Sequence, residues 1–375
     1  MIAMLRKALV ISLCSCKKAG EFNRAARYLL VFSAYFRVPA AVLTIASQLE
    51  NLMFKLLIAA LVGAFAITSN LFAQDFPNKQ VVIVIPFAAG GPTDTLGRHL
   101  AQIMSKSLKQ QVLIDNTVGA GGTIAAAKVA RARPDGYMVL LHHIGMSTAP
   151  ALYRKLPFNP LTDFEYIGQV ADVPMTVIAR KELPPDNFKD FIPYVKQNKA
   201  KLNYGNAGLG AASHLCGLLL MSALETDVTT VPFNGTAPAM TALLGGQIDF
   251  MCDQTTNTTG QIMSGAVKVY GVTSAKRVPS LAQVPTLQEQ GLKNFEVVIW
   301  HGLYAPKGTP KVAVDRLNAA LRAAVADPGF RDALAKLGSV PVPAEKATPA
   351  SLQQHLGAEI NKWGPIIRKA GVYAD

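Results

Sequence analysis

A run of apolar, largely β-branched residues, Gln80–Phe87, ends in a glycine pair and leads directly into a segment with helical character. A continuous apolar run of this length suits a parallel β-strand that is buried on both faces. Gly90, Gly91 and Pro92 end the strand, and Thr93 or Asp94 is expected to cap a helix that runs to about Lys109. The succession of buried strand, glycine turn and helix favours the α/β class.

The same succession recurs along the rest of the chain. Further strands are predicted at Val112–Asp115, Tyr137–His142, Asp163–Val170, Met175–Ala179, Leu202–Tyr204, Thr229–Phe233, Ile248–Cys252, Val267–Val272 and Val297–Tyr304. Helices are predicted at Thr123–Arg131, Asn187–Asn198, Ser213–Leu224, Thr236–Leu244, Pro310–Ala326, Phe330–Leu337 and Pro349–Ala370. The pattern restarts near residue 173, which predicts two lobes of mostly parallel sheet flanked by helices, with a cleft between them.

The first 74 residues differ from the rest of the chain in charge and pattern. They carry eight basic and two acidic residues and so supply +6 of the formal net charge of +13. Met53, Phe54 and Lys55 precede an apolar run of 12 residues, and Ala73 follows a short polar stretch. This layout predicts a secretory signal peptide over residues 53–73, because the run is shorter than the ~20 residues of a membrane span. We therefore expect export to the periplasm and cleavage after Ala73.

Residues 1–52 precede this signal, and we interpret them as an upstream extension outside the mature protein, with translation starting at Met53. The competing interpretation is a membrane anchor over Tyr28–Ile45. Arg37 and Pro39 interrupt that segment, and a charge in the middle of a span costs about 2.5–3.5 kcal/mol.

Three glycine-rich loops lie where predicted strands end and predicted helices begin, at residues 88–94, 119–123 and 205–213. Glycine lets successive backbone N–H groups converge, and a helix N-terminus adds partial positive charge. In open α/β sheets, ligands bind at the carboxyl ends of the strands. A single glycine turn is common between secondary-structure elements and does not by itself indicate a site. Three such turns at the same edge predict an anion site, suited to a carboxylate or a phosphate.

Several function classes lack their motifs in this chain. Gly119 and Gly121 are not followed by the third glycine of a dinucleotide fingerprint, and there is neither a Gly-Lys-Ser/Thr phosphate loop nor a Gly-x-Ser-x-Gly nucleophile elbow. The chain after residue 74 has no basic clusters interleaved with aromatics, so the positive charge does not indicate nucleic-acid binding.

Histidines and cysteines give weaker signals. His142 and His143 at a strand end, and His214 two residues before Cys216, form no metal-ligand pattern, so neither a metal nor another cofactor is expected. Cys216 and Cys252 form a disulfide in an oxidising compartment, or they are two buried thiols; the sequence leaves both open. A secreted α/β enzyme with Cys216, His214 and Asp253 near its cleft is the alternative function.

Ordered motifs over residues 75–375 resemble one known family. They are Phe76-Pro77, Val84-Ile-Pro-Phe-Ala-Ala-Gly-Gly-Pro-Thr-Asp94, Asn116, Gly119-Ala-Gly-Gly-Thr123, Pro134-Asp-Gly-Tyr137, Leu202-Asn-Tyr-Gly-Asn-Ala-Gly208, Ser213-His-Leu215, Val231-Pro-Phe-Asn-Gly-Thr-Ala-Pro238 and Leu244-Gly-Gly-Gln-Ile-Asp249. Together they resemble the Bug proteins, the periplasmic solute receptors of tripartite tricarboxylate transporters.

The resemblance implies a monomeric, non-enzymatic receptor with the two-lobe periplasmic-binding-protein fold of type II. Lobe one would comprise residues 75–172 and 300–375, and lobe two residues 173–299. A mono- or dicarboxylate would be held between the lobes without a cofactor. The receptor would then deliver it to the membrane components of a tripartite tricarboxylate-type transporter or to a signalling partner.

The resemblance also implies a set of binding residues. Backbone amides of the first loop would hold one carboxylate, partly through ordered water, and the implied set is Phe87, Ala89, Gly90, Gly91, Thr93, Asp94, Ser147, Asn206, Ala207, Gly208, Ser213, Thr236, Ala237 and Asp253. Asp94 is expected to orient loop amides or cap the helix, because like charges would repel an anionic ligand. The family often has Ser at position 206 and Tyr-Lys at 233–234, so Asn206, Phe233 and Asn234 alter the distal contacts.

Overall fold

A computed structural model describes residues 76–371, 373 and 374 of the chain. The predicted upstream extension, the signal peptide and the alternative anchor over Tyr28–Ile45 lie outside these residues. In the part that is described, no helix is long and apolar enough to cross a membrane.

The first sheet half is built around a central parallel strand. Its elements are β1 (Val81–Ile85), α1 (Pro92–Leu108), β2 (Val112–Asn116), α2 (Thr123–Ala130), β3 (Met138–His143) and α3 (Gly145–Leu152). β1 pairs in parallel with β2 on one side and with β3 on the other, with Ile83 opposite both Ile114 and Val139. All three strands therefore point their carboxyl ends, and the loops that follow them, toward the same edge.

One long strand, β4 (Phe164–Arg180), runs from the first sheet half into the second. It pairs antiparallel with β9 (Val298–Pro306) as far as Pro174, and from Met175 onward with β7 (Phe250–Gln254) and β8 (Val267–Val272). The sequence predicted two separate strands here. Pro174 has no N–H to donate to a ladder, and the strand exchanges its partners next to this residue without breaking.

The second sheet half repeats the parallel arrangement. Its elements are α4 (Phe188–Asn198), β5 (Asn203–Asn206), α5 (Ala212–Ala223), β6 (Thr229–Pro232), α6 (Thr236–Leu244), β7 (Phe250–Gln254), α7 (Thr255–Met263) and β8 (Val267–Val272). β5 pairs in parallel with β6 and β7. The loops after β5, β6 and β7 thus lie at one edge, as in the first half.

The chain then returns to the first sheet half through β9, followed by α8 (Lys311–Ala326), α9 (Pro328–Lys336), β10 (Val340–Pro341) and α10 (Pro349–Ala370). The sheet order is β2-β1-β3-β9-β4-β7-β5-β6, with β8 and β10 also paired to β4. The parallel βαβ units are those predicted, and β4 and β9 add antiparallel pairs between them.

Helix α1 follows the glycines of the first loop, and its buried face fixes its position against the sheet. Leu96, Leu100 and Met104 recur every four residues on that face and are fully buried against the sheet. The helix begins at Pro92 after Gly91, and its N-cap position has no side-chain hydrogen bond. The predicted capping by Thr93 or Asp94 is therefore wrong, because proline occupies the first helical position and both residues lie inside the first turn.

Candidate functional site

The second and third glycine loops touch each other through their backbones. A Cβ built on Gly121, whose φ is +59°, would lie 1.9 Å from the carbonyl oxygen of Leu209. A Cβ on Gly208 would lie 3.2 Å from the backbone nitrogen of Gly121. Only glycine permits this approach, so the two sheet halves meet where the sequence places these loops.

Hydrogen bonds to main-chain oxygens also join the two halves. The backbone N–H of Ala88 donates to the Asn234 carbonyl at 2.9 Å, next to Gly235. The Thr148 hydroxyl donates to the Gly210 carbonyl at 3.0 Å. The Tyr153 hydroxyl lies 2.7 Å from the carbonyl oxygen of Ala120 and 3.1 Å from that of Leu209.

Asp94 organises the first glycine loop. Its carboxylate accepts hydrogen bonds from the Gly90 N–H at 2.9 Å, from Arg98 Nε at 2.8 Å and from Asn116 Nδ2 at 3.0 Å. Burial raises the pKa of Asp94, but the hydrogen bonds from Arg98, Gly90 and Asn116 outweigh this and leave the pKa below its ordinary value. Asn116 Nδ2 also donates to the Phe87 carbonyl. The carboxylate therefore orients loop amides, as the sequence led us to expect.

A small cavity lies where the strand ends of both halves converge. Its volume is about 10 Å³, the space that the centre of one water molecule requires. It is lined by Phe87, Pro92, Thr93, His143, Ala207, Ala212, Ser213, Thr236, Asp253 and Gln254. No lysine or arginine is among these lining residues.

Several polar groups at this cavity have spare hydrogen-bonding capacity. The Thr236 hydroxyl and Gln254 Oε1 are buried without a hydrogen-bond partner, as is Asn206 Nδ2 close by. The Ser213 hydroxyl accepts from the Ala207 N–H at 2.8 Å, which leaves its own hydrogen to donate. Buried polar groups are nearly always satisfied in native proteins, so this set points to a polar ligand.

Asp253 is the buried carboxyl group of the cavity and is fully shielded from solvent. It accepts hydrogen bonds from the Gln254 N–H at 2.8 Å and from Asn257 Nδ2 at 2.6 Å. Burial raises its pKa to about 7, although hydrogen bonds from Asn257 and Gln254 and the proximity of Thr236 work in the opposite direction. The protonation state of Asp253 thus changes near neutral pH.

A neutral histidine completes the wall of the cavity. Nδ1 of His143 accepts from the Gly145 N–H at 3.0 Å, so its proton is placed on Nε2. Its ring stacks on Phe87 with a centroid distance of 4.7 Å. Burial, with the nearby His142 and His301, holds the pKa of His143 well below its usual value, so the ring is uncharged.

A larger cavity of about 570 Å³ adjoins the small one through Phe87 and Ala207. The second and third glycine loops and Tyr153 form one part of its wall, and Pro232, Phe233 and Asn234 form another. Phe233 and Asn234, which depart from the family motif, therefore line this larger cavity.

The structure brings together only part of the predicted residue set. Phe87, Thr93, Ala207, Ser213, Thr236 and Asp253 line the small cavity, and Gly208 lines the larger one. The predicted residues that line neither of the two are Ala89, Gly90, Gly91, Asp94, Ser147, Asn206 and Ala237. Ser147 is buried in α3, where its hydroxyl donates to the Ile144 carbonyl.

Four residues that line the small cavity were missed by the sequence reasoning: Pro92, His143, Ala212 and Gln254. His143 ends β3 and Gln254 ends β7, so the rule that ligands bind at carboxyl ends of strands could have found both.

The structure contradicts the alternative enzyme site. Cys216 and Cys252 are joined by a disulfide between α5 and β7, with a Cα–Cα distance of 6.0 Å. A disulfide sulfur carries no thiolate and cannot act as the nucleophile. Burial lowers the pKa of His214 to about 4, and its Nδ1 accepts from the Gly210 N–H. Over residues 76–371, no three His, Cys, Asp or Glu side chains are grouped to hold a metal.

Comparison with known proteins agrees with this geometry. The family model described as "Tripartite tricarboxylate transporter family receptor" matches residues 96–372. A UPF0065 protein from the TAR-I ttuE-ttuC' intergenic region of Agrobacterium vitis is 49% identical over 84% of this chain and 91% of its own length.

Two solved structures show the same fold. The periplasmic binding protein BugD is 53% identical, with a TM-score of 0.78 over 80% of this chain and 99% of that chain. MatC from Rhodopseudomonas palustris, solved with bound malate, is 41% identical, with a TM-score of 0.76 over 78% of this chain and 100% of that chain. The predicted two-lobe periplasmic-binding-protein fold is confirmed. The chain belongs to the tripartite tricarboxylate transporter receptor family, the Bug proteins, and it is a solute receptor rather than an enzyme.

Proposed function

We propose that this receptor captures a small mono- or dicarboxylate between its two lobes in the periplasm. It would then deliver the ligand to a tripartite tricarboxylate-type transporter or to a signalling partner. The observation that carries this proposal is the small cavity, where strand ends of both sheet halves surround unpaired polar groups. Malate in the MatC structure supports a carboxylate rather than a phosphate.

Neutral donors would bind the carboxylate. The N–H groups of Thr93 and Asp94 lie in the first turn of α1, where they have no acceptor within the helix and lie at the positive end of its dipole. The Ser213 and Thr236 hydroxyls would donate from the other lobe, and the remaining predicted residues would shape the loops. Directed donors of this kind select for geometry as well as charge.

Binding requires the lobes to part. A cavity of about 10 Å³ is too small for a dicarboxylate, so the ligand would enter an opened cleft and shift the equilibrium toward a closed form that encloses it. We propose residues 75–172 and 300–375 as lobe one and residues 173–299 as lobe two. Their boundaries fall where β4 changes partners and where β9 returns. The receptor would act as a monomer.

Export would supply the mature receptor from residue 74 onward, with residues 53–73 as the signal peptide and 1–52 absent. N-terminal sequencing of the protein purified from the periplasm of an expression host checks this directly. A sequence beginning near Gln74 supports the proposal, and a chain that still carries residues before Met53 contradicts it.

A thermal-shift screen of the purified receptor against small carboxylates tests the binding function. We expect one or more mono- or dicarboxylates to raise the melting temperature in a concentration-dependent way, because a ligand that binds only the folded state stabilises it. Inorganic phosphate and the matching amides and alcohols serve as controls. Absence of a shift with every carboxylate, combined with no carboxylate in the denatured extract, would overturn the proposal.

A further inference from the structure

Asp253 presents an electrostatic problem for a receptor of anions. Its carboxyl group is fully buried and lines the same small cavity as Thr93 and Ser213. An ionised carboxylate beside a bound carboxylate would put two like charges into a site with little water. Such pairs do not ionise together, and one member retains a proton.

In the described part of the chain, no cation on the elements packed against β7 offsets this charge. The elements packed against β7 are β4, β5, α5, α6 and α7, and their charged or titratable groups nearby are few. Arg180 of β4 lies at the opposite end of β7, where it is paired with Asp249 at 2.9 Å. Tyr204 of β5 and His214 of α5 are buried, and burial raises the pKa of Tyr204 and lowers that of His214 to about 4. Both are therefore neutral at pH 7.

Helices α6 and α7 contribute only uncharged side chains, among them Thr236 and Asn257. Across the cavity, the nearest titratable ring is the neutral His143 of β3. Asp94 of α1 is ionised, but Arg98 neutralises it. Among the residues that line the small cavity, Asp253 is the carboxyl group, and burial raises its pKa to about 7.

We propose that the receptor binds its ligand together with a proton, and that Asp253 in its carboxylic acid form donates a hydrogen bond to the ligand carboxylate. This inference rests on the proposed function and names the residue that makes the site selective for an anion. The proton moves from solvent to one Asp253 oxygen when the ligand binds, and it returns to solvent on release. No other bond changes. The buried acid, which would otherwise repel the ligand, becomes one of its donors.

Proton uptake can be counted calorimetrically on the exported, purified receptor. Malate, the ligand of MatC, serves as the first probe, followed by the carboxylate with the largest thermal shift. Titrations at pH 7.5 in buffers of different ionisation enthalpy should give roughly 0.5–1 proton taken up per ligand, because burial raises the pKa of free Asp253 to about 7.

The affinity for the ligand should depend on the protonation of Asp253. With Asp253 protonated in the complex and a pKa near 7 in the free receptor, Kd should be roughly tenfold or more weaker at pH 8.5 than at pH 6.5. The direction follows because a rising pH removes the proton that the complex needs. Carboxylate ligands with ordinary pKa values near ~4 are ionised throughout this range and add no such dependence.

The Asp253→Asn variant keeps a neutral side chain at the site and should bind with no proton uptake and a flat pH profile. Its melting temperature is compared with that of the native receptor to confirm folding. Asp172→Asn is the matched control, because Asp172 is also a carboxyl group whose pKa is raised by burial but lines neither cavity. That variant should retain the native proton uptake.

The possible failures are distinguishable. If no carboxylate binds at any pH, the proposed function fails and this inference fails with it. If a carboxylate binds the native receptor without proton uptake, the receptor function stands and the inference is overturned. That result would mean that ligand binding does not change the protonation state of Asp253. If Asp253→Asn does not fold, the number of protons that the native receptor takes up per ligand, measured by calorimetry, tests the inference by itself.

Discussion

Gly121 lies at a close contact between the backbones of the two lobes. Its φ is +59°, and a Cβ at this position would lie 1.9 Å from the Leu209 oxygen, so there is no room for a side chain. We expect Gly121→Ala to weaken carboxylate binding at least tenfold, because the closed form cannot be reached without displacing the Leu209 backbone. Isothermal titration measures the loss.

Gly246→Ala is the matched control for that substitution. Gly246 also has a positive φ, +70°, but a Cβ there would meet nothing within 4 Å. Both variants carry a backbone strain of about 1–2 kcal/mol, yet only the first obstructs closure. Equal losses of affinity in the two variants would mean that strain alone, and not the contact with Leu209, explains the effect.

Asp94 links the first glycine loop to α1, and its removal should destabilise the folded state. Asp94→Ala leaves the Gly90 N–H without its acceptor and removes one of the two acceptors of the Asn116 amide, which costs about 1–3 kcal/mol in the free energy of unfolding. Urea denaturation at pH 7.5 measures this. Asp135→Asn, in an exposed pair with Lys79 at 3.8 Å, should change stability by less than about 0.5 kcal/mol.

The same carboxylate gives a pH dependence with a defined sign. Because the pKa of Asp94 is lower in the folded state, its contribution is complete above the unfolded pKa of about 3.9 and is lost as the pH falls through the folded value. The stability difference between the native receptor and Asp94→Ala should therefore shrink below about pH 4. A difference that stays constant from pH 7.5 to pH 3 would contradict this assignment.

Some elements were predicted to the residue from the sequence, and others were missed. The bounds of α6, β8 and α10 agree with the predicted segments. Helix α3 begins with glycine and contains Pro150, and α7 is rich in threonine, so the helical propensity of both segments is low. Tertiary contacts, not local preference, make these two segments helical.

The disulfide between α5 and β7 should hold the second lobe together. Cys216 and Cys252 are both fully buried and 36 residues apart. We expect the double variant Cys216→Ala with Cys252→Ala to lose about 2–4 kcal/mol in the free energy of unfolding, measured by urea denaturation under non-reducing conditions.

A reductant supplies the control for that measurement. Dithiothreitol should lower the stability of the native receptor toward that of the double variant and leave the variant unchanged. Mass spectrometry after alkylation in denaturant counts the free thiols. Two free thiols in the native receptor would mean that the disulfide is absent, which would contradict the expected difference in stability between the native receptor and the double variant.

For the molecule as a whole, ligand binding should reduce the radius of gyration. The hydrogen bonds across the cleft, including that between the Tyr153 hydroxyl and the Leu209 carbonyl, form only when the lobes are together. Small-angle X-ray scattering should show contraction on addition of a binding carboxylate. Tyr153→Phe should weaken affinity about 3–10-fold, the effect of one hydrogen bond of roughly 0.5–1.5 kcal/mol. An unchanged radius of gyration at saturating ligand would contradict closure.

The position of the site followed from the order of strands and glycines, but its chemistry did not. Parallel strands with glycine turns at their carboxyl ends place three loops at one edge, and that much is readable from local pattern. His143 and Gln254 join the cavity because β3 and β7 belong to different sheet halves that face each other. The unusual environment of Asp253 depends on this packing, and no local pattern reports it.

The hydrogen bonds between the lobes have main-chain oxygens of Leu209, Gly210 and Asn234 as their acceptors. Closure is therefore largely independent of the side chains that line the small cavity. Those side chains can be exchanged to alter ligand preference while the main-chain contacts stay intact. This separation suits the receptor to redesign as a biosensor, in which one unchanged movement drives a fluorescent reporter for a series of chosen acids.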